Sequence, residues 1–252
     1  MLLGTEAVVL RSIPYGETSR IVTLFTQEKG KLTVMAKGAR AAKSRFGSSL
    51  QVLSHNQVVV YYRPSRSLQT LSESGHISLY HRVTQQLDRL AAGLRVCELV
   101  YALTEDEEPQ PDIYALLVRT LEALDEPQAS ADCIQMYFQV RLADALGYAP
   151  DFDRENVQVL DDAGGYLLLD SGTVVAQATA GRTVQYASRA ALRTFAILAR
   201  AELEVITRMQ LSPERLSEAR QLVDDYLRYH VAEAYPTRGE AIFRELGRQH
   251  PS

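Results

Sequence analysis

The stretch KLTVMAKGARAAKSRFGSSL, residues 31–50, holds the side chains of this sequence best suited to chemistry. Lys37, Arg40, Lys43 and Arg45 are set around Gly38 and Gly47, and cations among glycines are a way of holding phosphate. A nucleotide phosphate loop needs a glycine directly before its lysine, so that backbone N–H groups can wrap the phosphates. Ala42 stands there, and SRFGSSLQVL leads into a strand instead of opening a helix. The phosphate is therefore expected to be that of a polymer. Tracking a nucleic-acid strand takes spaced cations plus aromatic faces for bases. The expected contacting set is Arg20, Lys29, Lys31, Lys37, Arg40, Lys43, Arg45, Arg63 and Arg66, with Tyr15 and Tyr61. Phe25, Phe46 and Tyr62 are the other aromatics available, with Phe25 in IVTLFT expected in a core. Tyr61 and Tyr62 are neighbours on a strand and face opposite ways, so at most one lines a groove. Arg63 and Arg66 flank a Pro-Ser turn, where a solvated surface and a contact fit equally well.

Charge divides the chain in the same place. Residues 1–81 carry four Lys and six Arg against four Glu, a balance of +6, whereas residues 82–252 carry 17 Arg and 27 acids, a balance of −10. Such asymmetry suggests a polyanion-binding module joined to something else. Cys97 and Cys133 are far apart, which excludes a disulfide framework and a C-x-x-C metal site and suits buried thiols in a reducing cytosol. No apolar run reaches the ~18 residues of a membrane span. Glu6 and the missing basic n-region argue against a signal peptide, so a cytoplasmic protein with no membrane partner is expected. G-x-S-x-G, H-E-x-x-H and S-x-x-K are absent, and the five histidines do not cluster. A metal-dependent nuclease would need several carboxylates around one ion, and the acids here are scattered. A non-enzymatic binder without a cofactor is the expectation; that nuclease, or a protein-binding adaptor with an incidental basic barrel, is the competing reading.

These residues must be positioned by strands. TEAVVLRSI, SRIVTLFT, KLTVMAKG, SLQVLSHNQVVVYY and LQTLSESGHI are rich in β-branched and aromatic residues and are separated by turn signals. Five short strands in residues 1–81 suggest a small closed barrel, an OB-fold or an SH3-like one. From residue 82 the period becomes helical: one helix over VTQQLDRLAAGLRVCELVYALT, a second capped by Asp112, and a third ending at Gly147. Residues 148–182 read as a small β-hairpin. Helices return in SRAALRTFAILARAELEVI, in the segment opened by Ser212-Pro213, and in RGEAIFREL. The expected class is α+β: an OB-fold-like barrel (1–81) followed by a mostly helical domain (82–252) with a β insertion at 148–182.

The N-terminal segment closely resembles the RecO family of bacterial DNA-repair and recombination-mediator proteins. The likeness rests on Tyr15 to Ser19, Phe25-Thr26, Gly30, Ala36 to Arg40, Lys43-Ser44, Leu50-Gln51 and LQTLSESG. LADALGYAPDFD and RGEAIFRELGR extend it across the chain, more loosely. The resemblance implies an N-terminal OB-fold, binding of single- and double-stranded DNA, and annealing of complementary strands. It also implies partners: the acidic C-terminal tail of single-strand binding protein, and RecR, with which RecA is loaded at the bacterial nucleoid.

Two departures stand out. Many RecO-like proteins hold zinc with four cysteines just after LGYAPDFD, but RENVQVLDDAGGYLLLDSGTVVAQATAG has neither Cys nor His. Asp151, Asp153, Glu155, Asp161, Asp162 and Asp170 are not spaced as a calcium loop, so no metal is expected and Leu160, Tyr166, Leu167 and Leu169 must hold the insertion together. A peptide ending in an apolar residue and a carboxylate needs an apolar pocket rimmed by arginine. Arg119 and Arg141, with Tyr137 and Phe138 as walls, are the candidates, against the simpler reading of core aromatics beside solvated arginines.

Overall fold

Alternation of buried and half-exposed residues is strict in Gly30–Ala36, where Leu32, Val34 and Ala36 turn inward and Lys31, Thr33 and Met35 outward. A computed structural model, describing residues 1–151, 157, 160 and 163–236, makes this the third strand of a closed barrel. The strands are β1 (Leu2–Tyr15), β2 (Ser19–Thr26), β3 (Gly30–Ala36), β4 (His55–Tyr61) and β5 (Leu68–Ser78), in the order β1-β2-β3-β5-β4. β1 closes the barrel because it is long enough for two partners. Residues 2–8 pair with β4 and residues 7–15 with β2, with an irregularity between Val9 and Arg11 that bends the strand. β3 and β5 run parallel, and every other pair is antiparallel. Of the two barrels expected, this is the OB-like one. Val9, Val22, Leu24, Val34, Val58 and Leu71 are among the side chains filling it.

The described residues form two compact units, one built on Met1–Asp125 and the other on Glu126–Tyr235. In the first, the barrel is joined by α1 (His81–Gln85), α2 (Leu87–Leu103) and α3 (Pro111–Asp125). The single helix expected from residue 83 is two, because Gln86 is extended (φ −113°, ψ 125°). Asp112 lies in the first turn of α3, with Pro111 as its opening residue. α2 approaches closely at Gly93, where an added Cβ would lie 3.1 Å from Leu53. Phe25 is fully buried as expected, beside the Tyr114 ring of α3 (centroids 6.3 Å apart). His55 is buried among the Tyr114 hydroxyl (3.0 Å), the Tyr80 hydroxyl (3.5 Å) and the Glu6 carboxylate (3.4 Å). Burial lowers the His55 pKa below its ordinary value, and Glu6 and Glu122 oppose that fall.

The second unit contains α4 (Ala131–Ala145), β6 (Gly165–Leu168), β7 (Val174–Val175), β8 (Val184–Ala187), α5 (Arg189–Arg200), α6 (Leu203–Thr207) and α7 (Pro213–His230). Gly147 (φ +92°) ends α4 as expected. Its N–H donates to the Asp144 carbonyl (2.9 Å) and that of Tyr148 to the Ala143 carbonyl (2.8 Å), so orphan carbonyls are satisfied. The expected hairpin is a three-stranded sheet ordered β7-β6-β8, with Leu160, Leu167 and Leu169 buried and Tyr166 edge-on to Tyr186. Asp170 is held by the Arg182 guanidinium, which lowers its pKa, and is not displayed for a cation. Asp151 is exposed; Asp153, Glu155, Asp161, Asp162 and the helix expected over RGEAIFREL lie outside the described residues. Extended backbone at Ala201 and Glu202 splits the next expected helix into α5 and α6. Cys97 and Cys133 are free and buried, and burial pushes the Cys97 thiol up to about 12. Among the described residues no helix is long and apolar enough to cross a membrane.

Candidate nucleic-acid interface

Glycine hinges in the basic loop suggest flexibility, but the segment joining β3 to β4 is a run of turns. Ala41 N–H donates to the Gly38 carbonyl (3.1 Å), Ser44 to Ala41 (3.0 Å) and Ser49 to Phe46 (3.0 Å). Gly38 (φ +72°) and Gly47 (φ +52°) supply the left-handed positions. Phe46 anchors the loop by entering the barrel core, where it is 3% exposed, so it is no stacking platform. Arg40 ties the other side down. Its N–H donates to the Thr18 carbonyl (2.7 Å) and its Nη1 to the Gly16 carbonyl (3.0 Å), stitching the loop to the β1–β2 turn. Around these anchors Lys37, Lys43 and Arg45 are exposed, and among the described residues they form no ion pair. Tyr15 is half-exposed on the same turn. Arg20 pairs with Ala36 across β2 and β3, and its Nη1 donates to Ser12 Oγ (3.1 Å). Tyr15, Arg20, Lys37, Arg40, Lys43 and Arg45 therefore share one end of the barrel.

Lys31 is at the other end of β3, roughly 20 Å along the strand. Its ammonium donates to the carbonyls of Tyr101 (2.9 Å) and Thr104 (2.6 Å) at the end of α2, lies 3.4 Å from Asp106 and sits 5.1 Å from the centroid of the Tyr101 ring. Only 12% of the side chain is exposed. This corrects the expectation for Lys31: it closes a helix C-terminus, where orphan carbonyls favour a cation, and is not presented to a ligand. Lys29, in the β2–β3 turn, lies 5.7 Å from the centroid of the Tyr62 ring. The acidic segment after α2 is bound here as well. Glu107 (φ +59°) donates its N–H to the Lys31 carbonyl (2.9 Å) and accepts from the Tyr62 hydroxyl (2.7 Å), which raises the Tyr62 pKa. Gly30 (φ +59°) is required, since a Cβ would collide with the Glu108 carbonyl.

The β4–β5 connection brings a third group. Tyr62 turns inward and is buried, leaving Tyr61 53% exposed. Arg63 and Arg66 are exposed and, among the described residues, without an ion pair. Gln69, 2% exposed, holds their loop: it accepts from Arg63 N–H (2.8 Å) and donates to the carbonyls of Arg63 and Arg66. Strand register then sets Ile13, Ile21, Met35, Thr70, Tyr61 and Leu2 side by side around the outer wall. Sequence reasoning missed Ile13, Ile21, Met35 and Leu2. For Leu2, Ile21 and Met35 the signal was parity, since each alternates with a residue of the barrel core; Ile13, between Ser12 and Pro14, had no such signal.

The residues expected to hold a partner's tail are placed differently. Phe138 is fully buried and Tyr137 5% exposed, so both pack inside the second unit and offer no open pocket wall. Arg141 is engaged by the Ala201 carbonyl (3.3 Å), Asp144 (3.7 Å) and the Tyr137 ring (5.4 Å). Arg119 belongs to the other unit and also has an interaction partner.

An OB-like barrel with an anchored, unpaired basic loop, continued by helices, defines a class of protein built around a small β-barrel module. Residues 1–80 match the family described as Recombination protein O N terminal, and residues 84–239 that described as Recombination protein O C terminal. A DNA repair protein RecO of Salinibacter ruber is 48% identical over 252 residues, spanning all of this chain and 96% of the relative. That of Chloroherpeton thalassium is 29% identical across 98% of this chain and 99% of the relative. That of Syntrophotalea carbinolica is 32% identical across 90% and 89%. The chain belongs to the RecO family of DNA repair proteins.

Proposed function

We propose that the barrel binds single- and double-stranded DNA without altering it chemically, and that the protein is a non-enzymatic mediator of repair and recombination. The observation that carries this reading is the anchored loop of Lys37, Lys43 and Arg45, three exposed cations without an acidic partner among the described residues. Paired cations have already exchanged their counterions for protein charge; unpaired ones gain by neutralising phosphate. Holding two strands by their phosphates leaves base edges free and lowers mutual repulsion, which is the physical requirement for annealing. Loading of RecA together with RecR, and engagement of the acidic tail of single-strand binding protein, are the partner steps we assign on the family resemblance.

If about six phosphates are met, log affinity for a single strand falls against log salt with a slope of about −4. Charge reversal by Lys37→Glu, Lys43→Glu and Arg45→Glu together leaves Arg40, Phe46 and the barrel core intact. Fluorescence anisotropy with a labelled oligonucleotide should show binding abolished while circular dichroism is unchanged. Retained affinity in that variant would refute the reading.

A further inference from the structure

A cavity of about 430 Å³ opens on the barrel wall, with Met1, Leu2, Tyr61, Arg63, Arg66 and Leu68 in its lining. We propose that it takes one unstacked nucleotide of a single strand, its base against the Tyr61 ring and its phosphate between Arg63 and Arg66. The proposal rests on the nucleic-acid reading of the barrel and adds where a single strand is told from a duplex. Three features fit such an occupant. The Tyr61 backbone is paired on both sides, to Leu2 and to Thr70, so its half-exposed ring projects from a fixed point of the wall. Leu2 and Leu68 give the cavity apolar walls that suit a base edge poorly and a base face well. The backbone that carries the two arginines is held by the buried Gln69 amide, and among the described residues neither guanidinium forms an ion pair, so both can meet phosphate.

Continuity favours a strand of nucleic acid over an acidic peptide. The row Tyr61–Thr70–Met35–Ile21–Ile13 leads from this cavity along the wall to the turn that carries Tyr15 and holds Arg40, so one polymer can engage both groups of cations. At about 4.8 Å per strand, that path is about 19 Å long. A paired base in a duplex is already stacked on its neighbours and has no face to offer, so the cavity discriminates by base access.

The sequence contains no tryptophan, so Tyr61→Trp introduces the sole indole. Its fluorescence should be quenched by an oligothymidine and unaffected by a duplex of the same length. Tyr61→Ala should weaken oligothymidine binding about tenfold, as expected for loss of one stacked base, with duplex binding and thermal unfolding unchanged. Tyr61→Phe, which keeps the ring, should bind like the parent. The subsite is overturned, and the DNA reading kept, if Tyr61→Ala binds oligothymidine normally or if the indole answers an acidic peptide and not the oligonucleotide. Failure of the unmodified protein to bind any oligonucleotide would overturn both.

Discussion

Lys31 and Lys37 stand at the two ends of one strand with the same outward parity, yet their ammonium groups do opposite things. Lys37 is exposed beside a loop pinned by Arg40 and Phe46, and forms no ion pair among the described residues. Lys31 is sunk against the end of α2, where two carbonyls and Asp106 take its charge. A positive charge in a sequence is thus an offer whose recipient is settled by tertiary structure. At one end of the barrel the recipient is the protein itself, and at the other the ammonium stays exposed.

Replacing Lys31 breaks the comparison most sharply. Lys31→Met leaves the Tyr101 and Thr104 carbonyls without their donor, and should cost about 2 kcal/mol of stability, the range for hydrogen bonds to a charged group. The denaturant midpoint reads this, and oligonucleotide affinity of the folded protein should change less than twofold. A variant that lost affinity and kept its midpoint would move Lys31 into the interface.

A smaller effect concerns the junction behind the barrel. Because burial lowers the His55 pKa in the folded state, folding favours the neutral ring. The resulting stability is fully present above the unfolded value of about 6.5 and is lost as pH falls through the lower folded value. Thermal unfolding between pH 7.5 and 5 should therefore show destabilisation on acidification that is blunted in His55→Gln. Equal pH dependence in parent and variant would assign the effect elsewhere, to His230 for example, whose pKa burial also lowers.

Much of this was legible in advance. Runs of β-branched and aromatic residues bounded by turn signals located all five strands, although only β3 alternates strictly and the end of β2 is buried throughout. The opposite facing of Tyr61 and Tyr62 followed from the alternation of side chains along a strand. What escaped was fixed by distant residues. Nothing near Lys31 announces that Tyr101 and Thr104, seventy and more positions later, will receive its ammonium. Phe46 sits in a polar, basic context and reads as exposed until the barrel offers it a place in its core. That the exposed Arg40 also ties the loop to the β1–β2 turn, through the Gly16 carbonyl, could not be read from its neighbours in sequence. The breaks at Gln86 and at Ala201 carry neither glycine nor proline, so local propensity gave no warning.

The most direct test is the salt dependence of oligothymidine binding in Lys37→Ala/Lys43→Ala/Arg45→Ala compared with the parent. Removing three phosphate contacts should reduce the slope of log affinity against log salt by about 2. An unchanged slope would mean that these three cations meet no phosphate, and would contradict the assignment of the loop as the principal grip on nucleic acid.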